Sequence, residues 1–430
     1  MNTRGARVRA GLVIAAVAAV LAGSAGCSAG STSDNASGSP GAPTATAAEP
    51  SSAPPPTSLD PSDLTDPSES ARTSAPATKT PDEPKSITVV MNGDMLLHEG
   101  LWSSAEINSR RTGRGPDGMD FRPILADMRP VVSHADLAIC HMETPVAPHG
   151  GPYSGYPLFS APPAILPALK WLGYDVCTTA SNHSIDQGFE GLKRTIDEFE
   201  RVGIAHAGTA ETQRASRQPL LMDVHGVTVG LISATYGTNG LPLPEDQPWS
   251  VPLIDTDRIE AMAHRAKQQG ADVVMVALHW GLEYMHAPTT DQLAVAHELT
   301  KDPDINFIYG HHAHVVQPYD VVNGRWVVYG LGNAVAQQDT AVEGVYDGNT
   351  ARVTFTEQPD SSFGVSKLQY IPTMITPFDG VHPMRWLNVP QDLDDPAYAS
   401  LHPALSATDR RVTDVIGSLG AFRRGVTEGS

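Results

Sequence analysis

Cysteine is scarce in this chain of 430 residues, which contains only Cys27, Cys140 and Cys177. Two cysteines beyond Cys27 are too few for a disulfide framework or for a zinc site built from thiolates. Cys140 and Cys177 each lie in an apolar run that is typical of a strand. We therefore predict buried thiols at both positions; a single disulfide between neighbouring strands is the alternative in an oxidising compartment.

Positive charge is also scarce, because 29 Lys and Arg face 48 Asp and Glu and leave a formal net charge of −19. This balance argues against nucleic acid as a partner and against general attraction to an anionic membrane surface. An anionic substrate or polymer would need a local positive site on such a protein. Bound metal ions are one way to supply it.

A long hydrophobic run is missing at the N-terminus, where the apolar stretch 11–21 is too short to predict a membrane span. Arginines precede it and small residues follow, which predicts a signal peptide over 1–26. Cys27 comes directly after the small residues and resembles the lipid-bearing cysteine of a bacterial lipoprotein, although Ser24 stands where leucine is more usual. We expect a lipid anchor on Cys27 at the extracellular face of the cell membrane; an ordinary secreted protein is the alternative.

Large apolar residues are almost absent from 27–85, where Ser, Pro, Ala and Thr dominate. Such a segment cannot bury enough surface to offset its ordering entropy, so we predict a disordered linker. It would tether the folded part to the lipid or form a stalk in a secreted protein. We place the folded domain at 86–390 and a C-terminal tail with a possible helix (412–422) at 391–430.

Strand-like and helix-like runs alternate through the folded part, which predicts an α/β layered fold. Short apolar runs bounded by polar residues and glycine predict strands at 87–92, 136–140, 175–180, 227–233, 272–278, 305–309, 326–329, 352–356 and 365–370. Amphipathic runs predict helices at 162–172, 189–202, 259–269 and 292–299. The segment between the first two strands, with Arg111, Arg114 and Arg122, is interpreted as a solvated loop; a role of these arginines in substrate binding is the alternative.

Polar side chains follow five of the predicted strands at their carboxyl ends, where ligands bind in open α/β sheets. The segment 310–314, Gly-His-His-Ala-His, is one of them, and in an extended turn His312 and His314 would point the same way. Each feature alone has a structural explanation, such as a helix cap, a turn or a surface histidine cluster. Together they predict a metal centre.

The ligand types narrow the choice of metal. Carboxylate, amide and imidazole groups without thiolate suit Mn²⁺, Fe or Zn²⁺. The candidate ligands are too many for one open catalytic ion, so we predict two divalent ions. Two ions about 3.5–4 Å apart can activate a hydroxide and clamp a phosphoryl group.

With these polar strand ends the chain resembles the CapA family of poly-γ-glutamate capsule biosynthesis proteins, which have a calcineurin-like metallophosphoesterase fold. The matching stretches are Gly93-Asp94, Glu143-Thr144-Pro145, Ser181-Asn182-His183-Ser184-Ile185-Asp186-Gln187-Gly188, His279-Trp280-Gly281-Leu282-Glu283-Tyr284, 310–318 and 329–333. The resemblance implies a four-layer α-β-β-α sandwich. It also implies a role in making capsule or another exopolymer, with that synthesis machinery as a possible partner.

The resemblance further implies a role for each site residue. Asp94 and His314 would hold the first ion, Glu143 would bridge both ions, and Asn182, His279 and His312 would complete the second. His183 would lie beside the reacting phosphate and donate a proton to the leaving oxygen. Asp186 would either orient His183 or cap the helix that follows.

The chain departs from the patterns of its relatives at three points, one of which is Glu143, where the bridging residue is usually the shorter Asp. Met95 and Leu96 follow Asp94, so the histidine of an Asp-x-His motif is absent, and water or His98 would fill a position at the first ion. His141 replaces an asparagine of many relatives, and we interpret it as a strand-end residue; a further ligand or a residue that hydrogen-bonds a ligand are the alternatives. Glu283 would reach the substrate or hydrogen-bond a ligand histidine.

Two classes of function therefore remain. The first is a cell-envelope hydrolase, most naturally a phosphoesterase, that acts on a phosphoester or an anionic polymer. The second is a non-catalytic lipoprotein that binds or tethers an anionic envelope polymer. The converging polar residues favour the hydrolase.

Overall fold

The computed structural model describes residues 83–430. The predicted signal peptide, Cys27 and nearly all of the predicted linker lie outside the described residues and stay predictions. Among the helices of the described part, none is both long and apolar enough to cross a bilayer.

Two mixed sheets carry the fold of residues 83–430. The first contains nine strands, in the order β14-β13-β12-β1-β2-β3-β4, with β11 beside β1 and β15 beside β13. The second contains six, in the order β5-β6-β7-β8-β10-β9. The strands are β1 Ser86–Met95, β2 Leu137–Met142, β3 Val176–Thr178, β4 Ala205–Ala207, β5 Leu220–Val224, β6 Val227–Thr235, β7 Val273–His279, β8 Phe307–His311, β9 Tyr319–Val322, β10 Arg325–Val328, β11 Asn333–Val335, β12 Asp347–Glu357, β13 Phe363–Ile375, β14 Trp386–Asn388 and β15 Thr427–Glu428.

Helices connect the strands and cover the sheets. They are α1 Glu99–Thr112, α2 Arg122–Leu125, α3 Arg129–Ser133, α4 Ile165–Leu172, α5 Gly188–Val202, α6 Thr256–Gln268, α7 Thr290–Leu299, α8 Val389–Leu393 and α9 His402–Gly417. Helix α7 begins with a capping box, in which Thr289 and Gln292 satisfy each other's backbone N–H groups. Helix α5 ends at Gly203, whose φ of 72° is the left-handed conformation that glycine adopts without strain.

The two sheets pack face to face. Because successive residues of a strand point to opposite faces, each sheet turns one set of side chains toward the other sheet. Val89 of β1 faces the second sheet and packs in one cluster with Met275 of β7, whereas its neighbour Val90 faces away. Phe307 and Phe355 meet edge to face across the interface, with ring centroids 6.1 Å apart. This contact between apolar faces forms the central core of the domain.

Helices bury the outer face of each sheet. Val90 packs with residues of α1 and α4 on the first sheet. On the second sheet, Val274 and Val276 pack with Ala263 of α6 and Leu299 of α7. The layers therefore follow the order helix, sheet, sheet, helix, and the predicted four-layer α-β-β-α sandwich is confirmed.

Every predicted strand and helix of the layers overlaps an observed element, but the segment between β1 and β2 was predicted wrongly. It contains α1, whose buried side includes Ser104, Ala105 and Asn108. Small and polar residues on the buried side hide the apolar periodicity that would predict a helix. Arg111 lies on this helix and is exposed, and Arg122 pairs with Asp120 at 2.7 Å.

A disulfide joins Cys140 of β2 to Cys177 of β3, so the prediction of two buried thiols is wrong. The two residues are direct partners in the parallel pairing of these strands, with Cα atoms 4.4 Å apart. This separation lies at the short end of the range that a disulfide spans. The alternative of one bridge between neighbouring strands describes the structure.

The C-terminal segment contributes to the core. The predicted helix at 412–422 is observed earlier, at His402–Gly417, where Pro403 lies in the first turn. Val412 and Ile416 pack into the cluster between the sheets, and Arg411 forms an ion pair with Asp347 at 2.6 Å. These contacts show that the segment completes the domain.

Replacing Cys140 and Cys177 by alanine should lower the free energy of unfolding by about 2–4 kcal/mol, since the bridge closes a loop with a sequence separation of 37. Denaturant unfolding under non-reducing conditions measures the change. Adding reductant to the wild-type protein should reproduce the loss and leave the double variant unaffected. Equal stability of both proteins without reductant would contradict a native bridge.

Asp392 of α8 should make stability depend on pH. Burial, with the nearby charge of Asp127, raises the pKa of Asp392 to about 7. Because this value lies above that of the unfolded chain, Asp392 stabilises the fold fully below about pH 4, and that contribution is lost as the pH rises through 7. Asp392→Asn should therefore be more stable than wild type by about 1–2 kcal/mol at pH 8 and equal to it at pH 4.

Chemical denaturation at the two pH values checks this expectation. Asp394→Asn serves as the control, because Asp394 is exposed and lies two residues further along. If both variants behave alike at pH 8, the titration of Asp392 is not the cause.

Candidate metal centre

The candidate site lies where the parallel strands of both sheets end. β1 pairs in parallel with β2, and β7 pairs in parallel with β8, so their carboxyl ends share one edge of the sandwich. The site residues at these ends are Asp94 of β1, Glu143 after β2, Asn182 and His183 after β3, His279 at the end of β7, His311 at the end of β8, and His312 and His314 beyond it. All are buried.

Asp94 is held by the histidine segment of the opposite sheet. Its Oδ1 lies 2.8 Å from His311 Nδ1, and its Oδ2 accepts the backbone N–H of His312 at 3.0 Å. Nδ1 of His314 lies 3.3 Å from the same Oδ2. Burial raises the pKa of Asp94, but the hydrogen bonds with His311 and His314 outweigh burial and hold it well below its usual range.

Glu143 has no hydrogen-bond partner for either carboxylate oxygen, although both are buried. Its Oε1 lies 3.7 Å from His279 Nε2 and 3.8 Å from His314 Nε2, which is too far for a hydrogen bond. Burial is the main reason that the pKa of Glu143 stands well above its usual range. An unpaired buried carboxylate is costly, and a cation between it and the imidazoles would remove that cost. The residues therefore fit a metal ion.

Three buried groups of side chains bring their ligand atoms within 4.8 Å of one another. They are Asp94 with Glu143 and His314, Glu143 with His279 and His312, and Asp94 with His141 and His311. Glu143 belongs to the first two groups, which is the arrangement expected of a bridging ligand. These clusters could hold divalent metal ions, and which residues bind them stays a prediction.

Asn182 joins the second group through His279. Its Oδ1 lies 2.8 Å from His279 Nε2, the nitrogen that also faces Glu143. A metal ion near this point would take the amide oxygen, the imidazole nitrogen and the carboxylate oxygen together, a donor set without sulfur. The structure thus brings all six predicted metal ligands to one place.

The histidine segment was expected to form an extended turn, but its backbone is not extended. The strand ends at His311, and His312 and His314 have φ angles of 88° and 55°. Left-handed backbone at non-glycine residues is strained and gathers at functional sites. The two rings still lie near each other, with centroids 6.0 Å apart.

His141 lies within the cluster, where both alternatives to a plain strand-end residue would place it. Its ring stacks on His311 at 4.0 Å between centroids, and its Nε2 lies 3.0 Å from His279 Nδ1. Burial holds the pKa of His141 well below its usual range, so the imidazole is neutral and able to bind a metal or orient His279. Its spacing of two residues from Glu143 was the available signal, because such residues share one side of a strand.

His183 and Asp186 form a pair at the edge of the centre. His183 Nδ1 lies 2.7 Å from Asp186 Oδ2, and the same oxygen accepts the backbone N–H of Phe159 at 2.8 Å. Helix α5 starts at Gly188 after Gln187, and Asp186 does not cap it. Of the two alternatives for Asp186, the structure shows the one that orients His183.

Two further side chains border the centre. His98 accepts the backbone N–H of Gln337 with its Nδ1 at 3.2 Å and is not a member of the ligand groups described above, so its place at the first ion stays a prediction. Glu283 is exposed, and one of its carboxylate oxygens lies within 4.8 Å of ring nitrogens of His312 and His314. Glu283 thus faces the centre from the solvent side.

Two packed sheets with buried carboxylate, amide and imidazole groups at their common edge define an α/β sandwich protein with a candidate metal site. Residues 88–338 match the family model described as bacterial capsule synthesis protein PGA_cap, and the chain belongs to this family. The predicted resemblance to capsule proteins of the CapA type is confirmed.

Curated relatives include two proteins from Bacillus. The PGA biosynthesis protein CapA of Bacillus subtilis is 32% identical over 172 residues, which cover 40% of this chain and 44% of that protein. The capsule biosynthesis protein CapA of Bacillus anthracis is 28% identical over 276 residues, which cover 62% of this chain and 64% of that protein. The matches thus span roughly half to two thirds of these relatives' length.

Solved structures show a more distant similarity. A putative 5'-nucleotidase from Staphylococcus aureus aligns with a TM-score of 0.44 and 15% identity, over 75% of this chain and 58% of that one. The calcineurin-like phosphoesterase YfkN from Bacillus subtilis aligns with a TM-score of 0.39 and 15% identity, over 77% of this chain and 99% of that one.

Replacing Glu143 by glutamine should remove metal from the centre, because the residue takes part in two ligand groups and the amide lacks the negative charge. We expect metal affinity to fall by more than the roughly 10–100-fold that loss of a supporting residue costs. Elemental analysis after dialysis against a fixed Mn²⁺ concentration measures ions per chain. Glu190→Gln, on the exposed side of α5, is the control, and an unchanged metal content in Glu143→Gln would refute the bridging role.

Proposed function

We propose that the chain is a metal-dependent phosphoester hydrolase of the bacterial cell envelope, holding two divalent ions such as Mn²⁺, Fe or Zn²⁺. The observation that carries the proposal is Glu143, a buried carboxylate with two unpartnered oxygens between two sets of imidazoles. When bound, the ions would supply Lewis acidity toward the phosphoryl group and lower the pKa of the attacking water. Asp94, Glu143 and His314 would hold one ion, and Glu143, Asn182, His279 and His312 the other.

His183 would protonate the leaving oxygen. Nδ1 of His183 donates a hydrogen bond to Asp186 Oδ2, which fixes the ring. Nε2 would then be available to the reacting group. The pair is close enough to the centre to affect it electrostatically. Burial is the main cause that lowers the pKa of His312 to about 3, and the charge of His183 is one of the smaller causes. As the oxygen of water bonds to phosphorus and the bond from phosphorus to the ester oxygen breaks, the proton on Nε2 would pass to the departing alkoxide, and a proton from solvent would restore it.

The physiological role would lie in the synthesis of capsule or another envelope polymer. Relatives are named for capsule and poly-glutamate biosynthesis, and these names motivate the assignment. A position outside the cytoplasm, with a lipid on Cys27, is part of the proposal. The disulfide between Cys140 and Cys177 supports it, because such bonds persist in oxidising compartments.

The His183 variant tests the chemistry. With Mn²⁺, the purified chain should hydrolyse an alkyl phosphate, and His183→Ala should lower kcat by about 10²–10⁴-fold with its metal content unchanged, because the departing alkoxide needs a proton. The loss should be much smaller with p-nitrophenyl phosphate, whose leaving group departs without one. Asp186→Asn should give a smaller loss, because the ring stays in place without its charge partner. Steady-state kinetics alongside elemental analysis measures both effects.

The chain offers a matched control for this test. His382 lies 2.7 Å from Asp379 through Nδ1, the same contact at the same spacing of three residues, but it is exposed. His382→Ala should keep full activity. Full activity in His279→Ala would exclude the metal mechanism, and an Asp94→Asn chain that restores envelope function without hydrolysis would favour the polymer-tethering alternative.

A further inference from the structure

A cleft opens beside the candidate metal centre and shares His312 with it. It has a volume of about 780 Å³ and lies between the loop after β7, the first turns of α7 and the segment after β6. Its apolar walls are formed by Tyr236, Ile254, Leu282, Met285 and Val295, and Trp280 lies at its floor. The cleft is large enough for a substantial organic group attached to a phosphate at the centre.

The walls of this cleft expose apolar surface. Leu282 is 56% exposed, Tyr236 47% and Met285 43%. Single exposed apolar side chains are normal, but all three of these line one cavity beside the candidate metal centre. Their burial by a ligand would therefore contribute to its affinity.

The floor of the cleft is preformed. Trp280 is buried and donates from Nε1 to the carbonyl oxygen of Tyr329 at 2.9 Å. Gln292 packs against Gly281, where a Cβ atom would lie 2.8 Å from the Gln292 side chain, and the backbone φ of Gly281 is 95°. A rigid floor reduces the ordering cost of ligand binding.

Tyr236 connects the cleft with the metal centre. Its ring lies 4.5 Å from that of His312, and its hydroxyl donates to Asn239 Oδ1 at 3.2 Å. The same oxygen accepts a hydrogen bond from Asn182 Nδ2 at 3.2 Å. A ligand along Tyr236 would thus pass directly from the apolar walls to the predicted metal ligands.

The charge of the cleft is negative. Among the described residues that line it there is neither lysine nor arginine, whereas Glu283 and Asp291 both contribute carboxylates. A second anionic group, such as a carboxylate of an acidic polymer, would be repelled there. An uncharged apolar group fits both the walls and the charge.

We propose that this cleft binds the apolar, uncharged part of a phosphoester whose phosphate lies at the metal centre. The inference rests on the proposed function and narrows its substrate class to phosphoesters of apolar alcohols. It places the discrimination between substrates in Leu282, Met285 and their neighbours, outside the metal ligands.

A series of n-alkyl phosphates from ethyl to decyl tests the proposal, because the leaving groups share their chemistry and differ in apolar area. With the Mn²⁺-loaded full chain, kcat/KM should rise by about two- to fourfold per methylene until the cleft is filled. An ω-carboxyalkyl phosphate of equal length should lose most of this gain. A flat series would overturn the inference.

Variants locate the effect. Leu282→Asp and Met285→Asp should each reduce the octyl-to-ethyl ratio of kcat/KM by about tenfold or more. The ratio cancels any uniform effect of the new charge on the phosphate. Leu293→Asp is the matched control, because Leu293 is 45% exposed on α7 but does not line the cleft, and its ratio should equal that of wild type.

Binding of n-alkyl phosphonates, measured by calorimetry, separates the two proposals. Hydrolysis of all alkyl phosphates without chain-length dependence would leave the phosphoesterase standing and remove the apolar cleft as its subsite. If the affinity rises with alkyl length but the protein has no hydrolytic activity, the apolar subsite is supported and the phosphoesterase is overturned. If the protein shows no hydrolysis and its binding does not depend on alkyl length, both proposals are overturned.

Discussion

Asp94 joins the two sheets at the edge where the candidate site lies. It is part of the first sheet, and its hydrogen-bond partners, His311, His312 and His314, belong to the second or follow it directly. The apolar interface beneath brings the sheets to contact distance, but it is non-directional and does not align their ends. The buried contacts of Asp94 are directional, and together with the parallel pairing on each side they place Glu143 opposite His279.

The alternation of strands and helices could be predicted because the central strands are short apolar runs that end in polar residues, whereas the order of the four layers came from the family resemblance. The site followed from the same fact, since five such ends meet at one edge. Helix α1 escaped prediction because Ser104 and Asn108 occupy its buried side, and the disulfide escaped because strand order and register decide which cysteines face each other. The place of His141 in the cluster could not be predicted, because it depends on the stacking of its ring on His311, a residue far away in sequence.

The charges of the protein are distributed in a way that the net value conceals. The acidic total of −19 argues against a polyanionic partner, yet the site concentrates imidazoles beside two buried carboxylates. A phosphate would meet a local field that bound cations make positive, while the neighbouring cleft keeps Glu283 and Asp291. Recognition of the phosphate and of the group attached to it would therefore rely on separate physical terms, electrostatic in one place and hydrophobic in the other.

Every buried ligand group draws members from both sheets, and the chain between them is long. Asp94 and Glu143 precede the second sheet in synthesis, whereas His279, His312 and His314 come more than a hundred residues later. A growing chain therefore has no complete centre until its later half has emerged and docked. The metal that the centre takes would then depend on the ions available where folding finishes.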